Sequence, residues 1–207
     1  MTNQLIRAVE QADSSEGLLN AVKALAAASS KEAIPTLITV LGYNNPGAAV
    51  SAVDGLIQLG EPAVQPLLEQ LDGYNYGARA WAVRALAGIG DPRGLDILLD
   101  AAVNDFALSV RRAAAKGLGT ICWELMPAEQ IAEAQSSASK TLLQASQDPE
   151  WVVRYAAVGG LQALAGAAVQ PDWLSEVLTR LDEIVSSDET SSVRARARLA
   201  QQKLLLG

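Results

Sequence analysis

Residues 110–121, VRRAAAKGLGTI, combine small side chains with a single central leucine, Leu118. The same design recurs at 17–25 (GLLNAVKAL), 49–60 (AVSAVDGLIQLG), 79–90 (RAWAVRALAGIG) and 153–164 (VRYAAVGGLQAL). Their leucines, Leu25, Leu56, Leu86, Leu118 and Leu161, fall 31, 30, 32 and 43 residues apart. Self-similarity at such a period marks a repeat architecture, in which each unit buries its apolar face only by stacking on the next. Shorter amphipathic segments lie between the leucine-centred helices: 32–41 (EAIPTLITVL), 61–71 (EPAVQPLLEQL) and 92–102 (PRGLDILLDAA). Each has apolar residues at i, i+3, i+4 and i+7, the one-face pattern of a helix. No stretch alternates as a strand would.

Boundary signals agree with this reading. Asp91-Pro92 and Asp148-Pro149 each place a capping carboxylate before a proline expected at the first helical position, where the missing N–H costs nothing. Gly60, Gly73 and Gly90 stand where helices are expected to stop. The expected fold is therefore all-α, a single α-solenoid domain over 1–207 built from about five two-helix units.

Composition removes several chemistries. There is no histidine and one cysteine, Cys122, among 207 residues. A Ser-His-Asp or Cys-His pair is thus impossible within the chain, as is a mixed Cys/His zinc site. No metal-ligand spacing occurs, and the glycines follow the helical repeat rather than a phosphate-binding loop. Cys122 has no adjacent Lys or Arg to favour its thiolate and reads as a small buried hydrophobe. A lone thiol and the charged N-terminus MTNQLIRAVE fit a reducing compartment, so the chain reads as cytoplasmic. The uncharged stretches 33–53 and 155–171 are interrupted by Asn, Pro, Gly and Gln and read as buried helices rather than membrane spans. With 16 basic against 23 acidic side chains, the formal charge of -7 repels phosphate backbones and argues against nucleic-acid partners. The charge is uneven, since residues 79–112 hold five arginines against four aspartates.

Three arginines follow an aspartate by six residues: Asp105 and Arg111, Asp148 and Arg154, Asp188 and Arg194. The pattern resembles the HEAT-like repeat families, whose acidic turn residue and basic second-helix residue form a ladder between repeats. That resemblance assigns Arg111, Arg154 and Arg194 to structural ladder positions and implies a right-handed α-solenoid of HEAT-like two-helix repeats. The long spacing from Leu118 to Leu161 marks an insertion around 122–147 that holds Cys122 and Trp123. Beyond it, 171–207 reads as a capping helix pair with a more polar surface.

Between 71 and 119 the generic pattern gains Tyr74, Tyr76, Trp81, Arg84, Asp91, Arg93, Asp105 and Arg112. Trp81 and Arg84 are three apart and share a helix face, with the small residues Ala78, Ala85 and Gly88 expected to leave room beside the ring. Two readings stand side by side. In the plainer one Trp81 is a core aromatic with Arg84 snorkelling beside it, Tyr74-Asn75-Tyr76 is an ordinary turn and Asp91 is a helix cap. In the sharper one these residues form a groove for a planar anion, with aromatic faces to stack on and forked donors for carboxylates.

Three strings sharpen the reading: 74–82 (YNYGARAWA), 90–94 (GDPRG) and 105–114 (DFALSVRRAA). Together they resemble the smaller subunit of the phycocyanobilin lyases that act on the phycocyanin α subunit. That resemblance implies a heterodimer with a larger HEAT-like subunit, which binds the open-chain tetrapyrrole phycocyanobilin and promotes its thioether attachment to a cysteine of apo-phycocyanin α. Phycocyanobilin enters as substrate and no cofactor is implied. The attacking thiol belongs to the substrate protein, which accounts for an enzyme chain without histidine. On this reading Tyr74, Tyr76 and Trp81 wall the bilin, and Arg84, Arg93 and Arg112 meet its propionates. Asp91 or Asp105 then supplies the proton that thiol addition requires. A non-catalytic scaffold for phycobiliprotein assembly, and a lyase for another bilin or target subunit, are the alternatives. The isomerising relatives carry an additional His/Cys motif that a chain without histidine lacks.

Overall fold

The computed structural model describes residues 1–71, 76–168 and 171–206. Within them the regular structure is helical throughout, and the chain divides into two compact units, Met1–Gly94 and Leu95–Gly207. The first holds α1 (Thr2–Glu10), α2 (Ser15–Ala27), α3 (Ile34–Val40), α4 (Pro46–Leu59), α5 (Val64–Gln70) and α6 (Tyr76–Ile89). The second holds α7 (Leu95–Asn104), α8 (Leu108–Leu118), α9 (Ala128–Ala145), α10 (Trp151–Ala167), α11 (Leu174–Ser187) and α12 (Ser191–Leu206). The five leucine-centred segments are α2, α4, α6, α8 and α10, and α12 closes the series.

In the first unit α1 packs on α2, α3 on α4 and α5 on α6, while α2, α4 and α6 stack side by side. The second unit repeats the scheme, with α8, α10 and α12 as the stacked row and α7, α9 and α11 as their partners. The repeated leucines are its bolts: Leu25, Leu56, Leu86, Leu118 and Leu161 are wholly buried. Each such side chain contributes about 1.5–3 kcal/mol by leaving water. Small residues let the stacked helices approach closely. A Cβ at Gly119 would lie 2.5 Å from the Gly160 Cα, and one at Gly160 would lie 2.5 Å from the Ala115 carbonyl oxygen. Backbone therefore meets backbone between α8 and α10.

The helix starts show how local sequence acts. Pro62 and Pro92 stand inside 3₁₀ turns, Glu61–Ala63 and Pro92–Gly94, that lead into α5 and α7. Asp91 caps the second of these turns by accepting the Arg93 backbone N–H at 3.0 Å. Pro149 departs from expectation, because α10 begins at Trp151 with Glu150 as its N-cap. The Asp148 carboxylate instead accepts the Glu150 N–H at 2.8 Å and closes a turn one step ahead of the helix. Gly60 and Gly90 both end helices with positive φ, 69° and 73°, a conformation that suits glycine. Gly73 lies outside the described residues. The insertion forms a 3₁₀ turn, Trp123–Leu125, and α9, whose 18 residues exceed the seven of α3 or α5. It thus lengthens the first helix of its repeat, and Trp123 is buried within it.

Candidate functional site

The candidate residues fall into three clusters. On α6 the i, i+3 spacing sets the Arg84 guanidinium over the Trp81 ring, with its central carbon 4.5 Å from the ring centroid. The ring is partly buried against the core of the first unit, so the aromatic holds the cation while the core holds the aromatic. Tyr76 opens the same helix. Tyr74 lies outside the described residues. The space expected beside Trp81 is taken: Ala78 and Ala85 are core residues, and a Cβ at Gly88 would collide with Ile57 of α4. The small residues of α6 serve helix packing, and the pocket-making role read into them is corrected.

The second cluster follows α6. Both Asp91 oxygens are occupied: Oδ1 accepts from Arg93 Nε at 2.9 Å and Oδ2 from Arg93 Nη2 at 2.8 Å. The same Nη2 donates to Glu61 at 2.9 Å. Hydrogen bonding to the Arg93 side chain, acting against burial, holds the Asp91 carboxyl below the usual carboxylate range. Arg93 is in turn shifted further toward its charged form, chiefly by the Asp91 hydrogen bond. Such a pair keeps Asp91 an anion at neutral pH, whereas a proton donor there requires the opposite shift.

The third cluster, at the start of α8, contains Asp105, Arg111 and Arg112. Asp105 is buried and accepts the Ala107 N–H at 2.9 Å. Arg111 donates Nη1 to the backbone carbonyls of Asp105 and Phe106 at 2.8 and 3.1 Å. Its other edge grips Asp148 of the following repeat, at 2.7 and 3.1 Å. Arg154 repeats the arrangement, with Nη1 on the Asp148 and Pro149 carbonyls and a fork on Asp188 at 2.8 and 3.1 Å. Arg194 makes the same carbonyl contacts to Asp188 and Glu189, at 2.6 and 3.1 Å. The ladder thus joins each arginine to the carbonyl of the aspartate six residues before it and, for Arg111 and Arg154, to the carboxylate of the next repeat. Arg112, one residue on from Arg111, is exposed.

Three residues that sequence reasoning passed over belong beside these. Trp151 and Tyr155 are half-exposed, four residues apart on α10, and Arg196 of α12 donates to Gln162 of α10 at 2.9 Å. A signal was present in the sequence, since α6, α8, α10 and α12 contain no acidic residue. Among the described residues no group of three or more His, Cys, Asp or Glu side chains is placed to hold a metal. None of the described helices is long and apolar enough to cross a membrane.

Known proteins of similar sequence and architecture carry the assignment further. HEAT-repeat family models match residues 2–77, 64–129 and 140–167. The phycocyanobilin lyase subunit beta of Pseudanabaena tenuis is 60% identical over 98% of this chain and 73% of its own length. The phycobilisome maturation protein of Synechococcus elongatus is 56% identical across the full length of both chains. Among solved structures, a chain in the complex of CpcE and CpcF of phycocyanin lyase from Nostoc sp. matches with a TM-score of 0.75 and 55% identity, over 83% of this chain and 99% of that one. A designed armadillo repeat protein matches with a TM-score of 0.61 at 19% identity over 99% of this chain and 100% of its own, a likeness of fold alone. On these identities and coverages, the chain belongs to the HEAT-repeat family of phycocyanobilin lyase beta subunits.

Proposed function

We propose that this chain is one subunit of a heterodimeric lyase that binds phycocyanobilin and promotes its attachment, through a thioether, to a cysteine of the phycocyanin α subunit. The observation that carries the reading is the 60% identity to a phycocyanobilin lyase beta subunit over nearly the whole chain. The similarity to a chain from the CpcE–CpcF complex supports a larger HEAT-like partner. The composition agrees, because the nucleophile is the target's thiol and the reaction asks this chain for no histidine.

In the reaction the cysteine thiol gives up its proton and its sulfur bonds to the ethylidene carbon of the bilin, the ethylidene double bond gives up its π pair to the conjugated system, and that system takes a proton. Binding residues serve this step by fixing one bilin conformation at one cysteine. In this reading Trp81, with Arg84 held over its face, and Tyr76 present aromatic surface and positive charge to the pigment. Exposed Arg112 meets a propionate. Of the two carboxylates proposed as proton donor, Asp91 is held ionised by Arg93, which leaves the role to Asp105. Arg93, occupied by Asp91 and Glu61, serves to anchor its turn more than to clamp a propionate. The reaction takes place in the cytoplasm.

The test is co-expression with the larger subunit, apo-phycocyanin α and the phycocyanobilin pathway, followed by absorbance and fluorescence of the purified α subunit. Covalent, fluorescent pigment is expected only when both lyase subunits are present. Equal attachment without this chain would overturn the reading in favour of a non-catalytic scaffold. Trp81→Ala is expected to lower attachment, and a variant that leaves both attachment and dimerisation intact removes Trp81 from the site.

A further inference from the structure

Residues 95–207 carry ten basic and fourteen acidic side chains, and the two signs are segregated. Eight of the ten cations stand on α8, α10 and α12, where there is no Asp or Glu. All fourteen acids lie on α7, α9 and α11 or in the connections. Helix propensity gives no reason for this, since Glu is a good helix former and an i, i+4 pairing with Arg or Lys would be stabilising. Three of the eight cations are the ladder arginines. The others are Arg112, Lys116, Arg198 and Lys203, all exposed, and Arg196.

Arg196 differs from the rest. Its guanidinium is partly buried, and its hydrogen-bond partner is the neutral amide of Gln162 on α10 at 2.9 Å. Glycine at position 159 gives it room, because a Cβ there would lie 3.3 Å from Nη2. Burial pulls its pKa below the ordinary arginine value, with Tyr155 acting weakly the other way. Arg93, Arg111, Arg154 and Arg180 each reach a carboxylate and Arg194 reaches two backbone carbonyls, whereas Arg196 is partly desolvated with no carboxylate among the described residues. A guanidinium so placed gains most from an incoming anion, because the desolvation is already done and the fork remains to be filled. Tyr155 and Trp151 precede Gly159 by one and two helical turns, on the same face of α10. Their exposures of 42% and 46% leave two large aromatic surfaces in water along the face of α10 that leads to Arg196. Aromatic surface next to an unfilled fork suits a flat conjugated molecule bearing a carboxylate. An acidic peptide would instead find the four exposed cations.

We propose that α10 and α12 carry a carboxylate subsite in which Arg196 receives a propionate of the bilin, Gln162 holds the guanidinium in line, and Tyr155 and Trp151 cover the adjoining ring. The inference rests on the bilin-lyase reading and extends it to residues of the second unit.

The experiment titrates the heterodimer with phycocyanobilin and with its dimethyl ester, following the absorbance change. Arg196→Gln is expected to weaken binding of the diacid roughly ten- to a hundredfold and to leave the ester unaffected. Its melting temperature stays close to the wild-type value, since one hydrogen bond, to Gln162, is lost and no ion pair. Arg196→Lys, which keeps the charge without the fork, falls between. Tyr155→Leu is a second variant that leaves the cation untouched, and it weakens diacid and ester alike. Equal effects of Arg196→Gln on the two ligands, or none, overturn the subsite. So does intact bilin binding with weakened capture of apo-phycocyanin α, which would make the face a protein-docking surface. If the wild-type heterodimer attaches pigment and Arg196→Gln matches it in affinity, the subsite falls and the lyase reading stands. If the wild type neither binds nor attaches the bilin, both fall.

Discussion

In Met1–Gly94 the turn ahead of α4 is tied to the previous repeat by a neutral side chain, whereas in Leu95–Gly207 the corresponding turns are tied by charge. Asn45 donates to the Ser15 carbonyl and hydroxyl at 3.0 Å each, while its own oxygen accepts the Ala48 N–H at 3.0 Å and caps α4. Asp148 and Asp188 cap turns in the same way, accepting from Glu150 and Thr190, but each also receives an arginine of the preceding repeat. An amide satisfies the junction with little penalty if it is lost. A buried ion pair does not, because either partner left alone is an uncompensated charge. Joints of similar geometry therefore differ in what their removal costs.

The largest break in this comparison is expected from Arg154→Ala. Its side chain and that of Asp188 are 8% and 6% exposed, so the variant leaves a nearly dry carboxylate unpaired. A loss of about 3–5 kcal/mol, read by urea unfolding, is the expected outcome. Arg111→Ala acts in the same direction, and less strongly because Arg111 is 12% exposed. Exchanging both partners, Arg154→Met with Asp188→Leu, is expected to cost less than either single change. That result locates the penalty in the orphaned charge rather than in missing contact.

Acid tests the same joint. Burial pushes the Asp188 carboxyl upward, but hydrogen bonds from Arg154 and the Thr190 N–H, with the nearby arginine charges, bring it below its ordinary value. A carboxyl with a depressed native pKa stabilises the fold above its unfolded pKa of about 3.9, and that contribution is lost as pH falls through the native value. Unfolding followed from pH 5 down to pH 2 is thus expected to show stability falling with pH, with a shallower slope in Asp188→Asn. The smallest effect belongs to the first unit: Asn45→Ala loses a cap and two hydrogen bonds, about 1–2 kcal/mol by thermal denaturation. A cost equal to that of Arg154→Ala would erase the distinction between the joints.

How much of this was legible in the sequence follows from the range of each interaction. Helix pairs were readable because leucine spacing and the stops at Gly60 and Gly90 are local signals. The stacking of Arg84 on Trp81 was readable for the same reason, being an i, i+3 contact. The ladder was recognised as Asp–Arg pairs six apart, but the carboxylates that Arg111 and Arg154 grip lie 37 and 34 residues downstream, and only the backbone contact is local. Gly88 was misread because one helix seen alone does not reveal that Ile57 fills its notch. Arg196 escaped notice because Gln162 and Gly159, which define its setting, come from another helix.

The contact of Gly119 with Gly160 has a consequence for recognition. With no side chain at either position, the separation of α8 from α10 is gauged by main-chain atoms, a spacing that rotamer changes cannot loosen. A single methyl group there would act as a shim, shifting Arg112 and Lys116 on one helix against Trp151 and Tyr155 on the other. Two hydrogen atoms in the interior thereby set the calibration of a surface that neither of them touches.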